Sequence, residues 1–153
     1  MASAHIANFK RDAGRPIAVV TDVPSITPRV DELDALLMEK PRLREDPDLP
    51  LILAVAEARE ISVFDQCPSL KKWLSMNGII HDGQAIERLT RKEPWSVATL
   101  GISLPAISKD GSKALFYASE YWGSLGGGQD LLIYTKNKSG AWILQRRDGL
   151  TIS

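Results

Sequence analysis

Ser108-Lys109-Asp110-Gly111, then Ala114-Leu115-Phe116-Tyr117-Ala118-Ser119-Glu120-Tyr121-Trp122, then Gly126-Gly127-Gly128-Gln129-Asp130-Leu131, then Asn137-Lys138-Ser139-Gly140-Ala141-Trp142 is the run of sequence that decides the fold. The hydrophobic period here is 2. Leu115, Tyr117, Ser119 and Tyr121 alternate with Ala114, Phe116, Ala118, Glu120 and Trp122, as side chains do on the two faces of a strand. Asp-Gly and Ser-Gly supply turn residues between the apolar runs. The alternation predicts strands over 97–104, 113–122, 130–136 and 141–147. The short Asn137–Gly140 link requires the last two to pair antiparallel. The triple glycine reads as a wide, flexible hairpin loop.

Upstream of Trp95 the period is 3.6. Thr27-Pro28 reads as a helix start, with Asp31 and Glu32 at the positive end of the dipole. Val30, Leu33, Leu36 and Leu37 extend that helix over 28–39. Pro41, Pro47 and Pro50 make a linker. Leu51 to about Asp65 reads as one helix. Pro68 opens another, 69–77, with Gly78 as its stop, and Asp82 caps a fourth over 83–92. Residues 1–16 read as coil or a short, poorly fixed element, and Ile17–Val20 as a brief β-like run. Helices first and strands afterwards predict a single α+β domain over 1–153, with N-terminal helices packed on one face of a C-terminal antiparallel four-stranded β-meander.

Residues 104–142 resemble one blade of a TolB-type β-propeller, which carries a Ser-x-Asp-Gly turn, an apolar strand ending in Ser, a Gly-Gly-x-Asp-Leu step and a Gly-x-Trp turn. The resemblance implies three consecutive antiparallel strands. Residues 1–95 supply no further blade, and a propeller needs about four, so no function is carried over.

Composition narrows the function classes. The chain has 153 residues, 44% of them apolar, enough to bury a core without disulfides or metals. Lys plus Arg and Asp plus Glu both number 19, so no basic field attracts nucleic acid. A net charge of zero also removes colloidal repulsion and permits self-association. No apolar run is long enough to span a membrane. The single cysteine, Cys67, fits a reducing cytosol and a secreted or periplasmic setting equally, and the sequence points to no cofactor and no metal.

Each chemical candidate has a bland counterpart. Cys67 precedes Pro68 at a helix start, where a thiolate is stabilised, but a buried inert thiol is the commoner case. His81-Asp82 and His5 lack metal-ligand spacing and read as surface or capping residues. Glu57, Glu60 and Asp65 place carboxylates on or near one expected helix, which ordinarily means a solvated face. Gly126, Gly127 and Gly128 could cradle an anion, but no phosphate-loop pattern follows. The aromatic group Tyr117, Tyr121, Trp122, Tyr134 and Trp142 carries the strongest hint. Alternation sets Trp122 opposite Tyr117 and Tyr121, so some of these rings reach an outer face.

The expectation is a non-enzymatic binding module. It would use the outer face of the 113–136 hairpin (Tyr121, Trp122, Gly126, Gly127, Gly128, Gln129 and Asp130) to take a protein or a small apolar ligand. The competing class is a small-ligand-binding or hydrolytic cone-shaped α+β fold, as in the nuclear-transport-factor-like and cystatin-like families. That analogy concerns fold alone.

Overall fold

The computed structural model describes residues 1–20 and 27–152. Among them the chain runs α1 (Ala2–Ala13), β1 (Ile17–Val20), α2 (Val30–Glu39), a 3-10 turn (Pro41–Glu45), α3 (Leu49–Glu57), α4 (Val63–Gln66), α5 (Pro68–Met76), α6 (Gly83–Thr90), β2 (Ala98–Ile102), β3 (Ala106–Ile107), β4 (Lys113–Gly123), β5 (Gly126–Lys136) and β6 (Trp142–Ile152). The fold is α+β. Its sheet is mixed, ordered β1-β2-β4-β5-β6, with β3 also pairing β4. The four strands expected from the alternation form the antiparallel meander β2-β4-β5-β6. β1 adds a parallel strand beside β2, with Ile17 opposite Ala98 and Val20 opposite Gly101.

The turns follow the residues that specify them. Gly111 and Gly140 both hold positive φ (68° and 81°), a conformation open to glycine at no steric cost. Asp110 ties the first turn by accepting hydrogen bonds from the Ser108 and Ser112 hydroxyls at 2.6 and 2.7 Å. Those bonds hold its carboxyl down at about 2. Asn137 Oδ1 ties the second by accepting from the amides of Ser139 and Ala141. Between β2 and β3 the ladder would fail at Leu104-Pro105. Buried Ser103 carries it across: its amide donates to the Tyr117 carbonyl and its Oγ accepts from the Tyr117 amide, each at 2.9 Å.

Four expectations are corrected. Residues 1–16 contain the twelve-residue helix α1, which buries His5, Ile6 and Phe9 and ends on left-handed Gly14. The second helix starts at Val30, because the Glu32 carboxylate accepts the Arg29 amide at 2.8 Å and fixes the start two residues after Thr27-Pro28. The 51–65 helix is two helices. Tight turns at Arg59 and Ile61 end α3, and Ser62 caps α4 by accepting the Phe64 amide. Helices also cover both faces of the sheet. On the first face Leu100, Phe116, Ala118 and Leu132 pack with Ile6, Phe9, Phe64 and Leu74 from α1, α4 and α5. On the second, Leu115, Tyr117, Leu131 and Ile133 pack with Val55 of α3, and Ala18 packs with Ile86 of α6. This two-sided burial explains the broken helix: Val55 belongs to one face and Val63-Phe64 to the other, and one straight helix cannot serve both. Each fully buried Leu, Ile or Phe contributes roughly 1.5–3 kcal/mol, which outweighs the few lost helical hydrogen bonds at about 1 kcal/mol each.

The triple glycine is also re-read. It is not a loop. The turn is Ser124-Leu125, and Gly126–Gly128 are paired residues of β5, opposite Gly123, Tyr121 and Glu120, with Trp122 bulged out of the ladder. The reason is steric. A Cβ on Gly127 would lie 2.2 Å from Tyr121 Cδ1 and 2.5 Å from the Glu120 carbonyl oxygen, so the Tyr121 ring lies where a side chain would otherwise be. Gly127→Ala should lower stability by about 1–3 kcal/mol in urea unfolding, as overpacking does. Gly126→Ala, whose Cβ meets nothing within 4 Å, should change it by less than about 1 kcal/mol.

Candidate functional site

The first face of the sheet carries a charge where its alternation calls for an apolar residue. β4 presents Phe116, Ala118 and then Glu120 on that face, and Glu120 is 5% exposed. An unpaired carboxylate there would cost several kcal/mol. Arg147 of β6 answers it, with one terminal nitrogen 2.9 Å from Glu120 Oε2 and 2.7 Å from Asp130 Oδ2. The arrangement is local in the sheet and distant in the chain: Asp130 lies opposite Ala118, and Arg147 opposite Leu132. Gly128, opposite Glu120, contributes no side chain to the space the three groups share.

Helix α1 closes over this cluster and adds His5, which is 4% exposed. Its Nδ1 is 3.1 Å from the Tyr134 hydroxyl, and its Nε2 lies 3.5 Å from Glu120 Oε1 without a hydrogen bond. The nearby carboxylate favours the tautomer with the proton on Nε2, so that Tyr134 O–H donates to Nδ1. Burial, reinforced by the Arg147 cation and opposed by Asp130, lowers the imidazole to about 4. Burial raises the Glu120 carboxyl even against the attraction of Arg147, and raises the Tyr134 hydroxyl, with Glu120 adding to it. Hydrogen bonding to Asp130 holds the Arg147 guanidinium firmly charged.

A cleft of about 410 Å³ opens between α1 and the sheet at this point. Its polar floor is His5, Glu120, Tyr134 and Arg147, and its apolar wall is Phe9, Trp122 and Leu144. Trp122 is 38% exposed and lies 5.7 Å from the Phe9 ring. The bulge in β4 sits at this ring. A second cleft of about 590 Å³ lies between the start of α3 and the β3–β4 turn. Its buried acid, Asp48, is already taken by Lys113 at 2.6 Å and Arg146 at 3.5 Å.

Of the residues expected to form the hairpin surface, Trp122 and Asp130 reach the first face and the cluster. Tyr121 and Gln129 lie together on the second face, where the Gln129 amide donates to the Tyr121 hydroxyl. Tyr134, stacked on Phe116, and Trp142 belong to the first-face core, whereas Tyr117 belongs to the second. Glu57, Glu60 and Asp65 are exposed and fall on α3, the following turn and α4, so they share no helix face. Cys67 is half-buried at the α4–α5 junction, in an apolar cleft with Leu70, Trp73 and Pro105. Asp82 caps α6 through the Ala85 amide at 2.8 Å, and His81 Nδ1 is 3.0 Å from the Ile79 carbonyl. His5 is a correction to the surface reading: it is core. Among the described residues no three His, Cys, Asp or Glu side chains converge as metal ligands do.

Two signals for this site were present in the chain. Glu120 interrupts an otherwise apolar strand face, and Ala2–Ala13 is a stretch free of Pro and Gly, closed by Gly14, that would place His5 and Phe9 one turn apart if helical. Arg147 carried no local signal, since β6 reads as an ordinary polar edge strand. No family model, no curated protein and no solved structure matches the chain.

The folded state holds His5 neutral to about pH 4, against 6.5 when unfolded. Within that window the unfolded chain binds the extra proton. Stability is therefore full above 6.5 and is lost as pH falls toward 4, by about 3 kcal/mol. Glu120, raised above its ordinary 4.5, acts oppositely, its contribution fading as pH rises through its window. Urea midpoints at pH 4–7 should therefore rise more steeply with pH in the native chain than in His5→Phe, which lacks the titrating imidazole. Arg147→Met leaves Glu120 and Asp130 without their cation. It should cost about 2 kcal/mol at pH 7, below the fully buried value because Arg147 is 47% exposed along its side chain. The deficit should shrink as acid protonates the Glu120 carboxyl, which burial already raises.

Proposed function

We propose that this protein is a non-enzymatic binding module and that its recognition site is the cleft between α1 and the β4–β5–β6 end of the sheet. One observation carries the reading: a solvent-reachable aromatic ring, Trp122, backed by the buried ring of Phe9, stands over a pre-arranged polar floor. Small-molecule sites are built this way, with apolar surface for affinity and a few convergent polar groups for orientation. The cluster is already tied together, so a ligand would meet groups whose ordering cost was met on folding.

The ligand class follows from the charges. Two carboxylates share one guanidinium, and Arg11 and Asp12 on the cleft rim offset each other. An anion gains little there. A small, mainly apolar molecule with a neutral hydrogen-bonding head fits better, its ring against Trp122 and its head toward Arg147.

The hydrolytic reading has one observation in its favour: His5 and Glu120 are adjacent titratable groups with displaced proton affinities, a pattern that active sites share. It ranks second because the described cleft lining contains no Ser, Thr, Cys or Lys to act as nucleophile, and Arg147 already engages the carboxylate.

A fragment panel of neutral aromatic alcohols and amides, followed by amide chemical shifts, tests the proposal. Perturbations should cluster at Phe9, Trp122, Leu144 and Arg147, and Trp122→Ala should weaken any hit at least about tenfold, the loss of roughly 1.4 kcal/mol of ring contact. Shifts that map elsewhere, or a Trp122→Ala variant that binds unchanged, would remove the site. Hydrolysis of p-nitrophenyl acetate above the buffer rate, lost in Glu120→Gln, would move the reading to the enzyme.

A further inference from the structure

We propose that β6 is a self-pairing edge, through which a second copy of this chain adds antiparallel to the sheet and continues it across a two-fold axis at Arg147. The sheet order ends at β6, an eleven-residue strand with no partner on its outer side among the described residues. The opposite edge is managed differently: β1 has four residues and is bridged by Ile80. Long unpaired edges invite pairing unless charge, bulges or a covering element prevent it. β6 carries charges and two bulges, and it also exposes Ile143, Leu144 and Leu150 at 51%, 41% and 46%.

The order of residues in β6 argues for a second copy as the occupant. With Arg147 on the axis, Arg146 lies opposite Asp148 of the second copy, and Asp148 opposite its Arg146. Leu144 lies opposite Leu150, Ile143 opposite Thr151, and Trp142 opposite Ile152. Opposite charges directly across an antiparallel ladder stabilise it, and like charges oppose it. Arg146 and Asp148 already meet within one strand at 2.5 Å, so two copies would form a closed ring of four alternating charges.

The bulges support the same register. Ladder pairing with β5 skips Gln145 and Leu150, one on each side of Arg147. A bulge ordinarily spoils edge pairing by switching faces. Here each arm contains one extra residue, so the face alternation that Gln145 shifts on one strand is shifted equally by Leu150 on the other. Positions 143 and 151 pair Thr135 and Gln129, both second-face positions of β5, and positions 142 and 152 pair Lys136 and Gly128 of the first, as cross-strand neighbours must. The two Arg147 side chains at the axis are each occupied by Glu120 and Asp130 of their own chain, which relieves the like-charge contact. The zero formal net charge leaves no long-range repulsion between copies. Pairing would also set Leu150 of the second copy beside Leu144, extending the apolar wall of the cleft.

A charge exchange on the full chain tests the register. Sedimentation equilibrium of the native chain should show a monomer–dimer equilibrium. Arg146→Asp and Asp148→Arg, each placing like charges opposite each other twice, should each weaken it at least about tenfold. An equimolar mixture of the two variants joins a chain acidic at both positions to a chain basic at both. Unlike charges then face each other at each crossing, and the dimer should return. The double variant Arg146→Asp/Asp148→Arg should restore it on its own. Circular dichroism identifies a variant that has lost its fold, and the mixture carries the same substitutions as its dissociated components. A native chain that stays monomeric near 1 mM, single variants that dimerise like the native chain, or a mixture that fails to recover would each overturn the proposal.

Discussion

Everything in this molecule depends on β4 being buried on both faces. Leu115 and Tyr117 belong to one core, Phe116 and Ala118 to the other, and the strand has neighbours along both edges. A strand so placed must alternate between two different apolar environments, which its sequence does from Ala114 to Ala118. The helices are then distributed by necessity: α3 and α6 to one side, α1, α4 and α5 to the other. The break after Glu57 is the covalent consequence, since the chain must leave one layer to supply Val63 and Phe64 to the other.

The same constraint produces the polar cluster. At Glu120 the strand is still covered by α1, so a carboxylate is held inside a layer built for hydrocarbon. Its neutralisation comes from Arg147, two strands away, with Asp130 sharing the guanidinium and His5 and Tyr134 extending the network. Replacing such a network whole with apolar side chains often leaves a protein as stable or more so, whereas removing one partner alone is costly. These groups give the end of the sheet a chemically distinct floor beside an exposed tryptophan, and the binding proposal rests on that contrast. β6 joins the two proposals. One face of the strand sends Arg147 and Leu144 into the cleft, while its free edge faces outward.

Legibility followed the range of the interactions involved. The meander was legible because period-2 alternation and the Asp-Gly and Ser-Gly turns are local properties, and the Ser108 and Asn137 turns formed as their side-chain chemistry requires. The helices at 69–77 and 83–92 were legible from a proline start and an aspartate cap. The glycine triplet misled, because glycine is punctuation in most loops, whereas Gly127 is set by the ring of Tyr121 on the neighbouring strand. Helix α1 is not legible locally because its burial is supplied by residues distant in the chain, from Phe64 and Leu74 to Phe116 and Tyr134.

By itself, then, the sequence determined the period-2 strands after Trp95, the helices opened at Pro68 and Asp82, the reversals at Gly111 and Gly140, and that a sheet with helices preceding it would form. These outcomes depend on residues within a few positions of one another. Only the tertiary structure decided that the sheet is covered on both faces, that β1 joins it in parallel, and that His5, Glu120, Asp130, Tyr134 and Arg147 meet. Those groups are brought together by strand order and by which helix lies over which face. That choice is made by the competition among all apolar surfaces for burial, and no local pattern records its result.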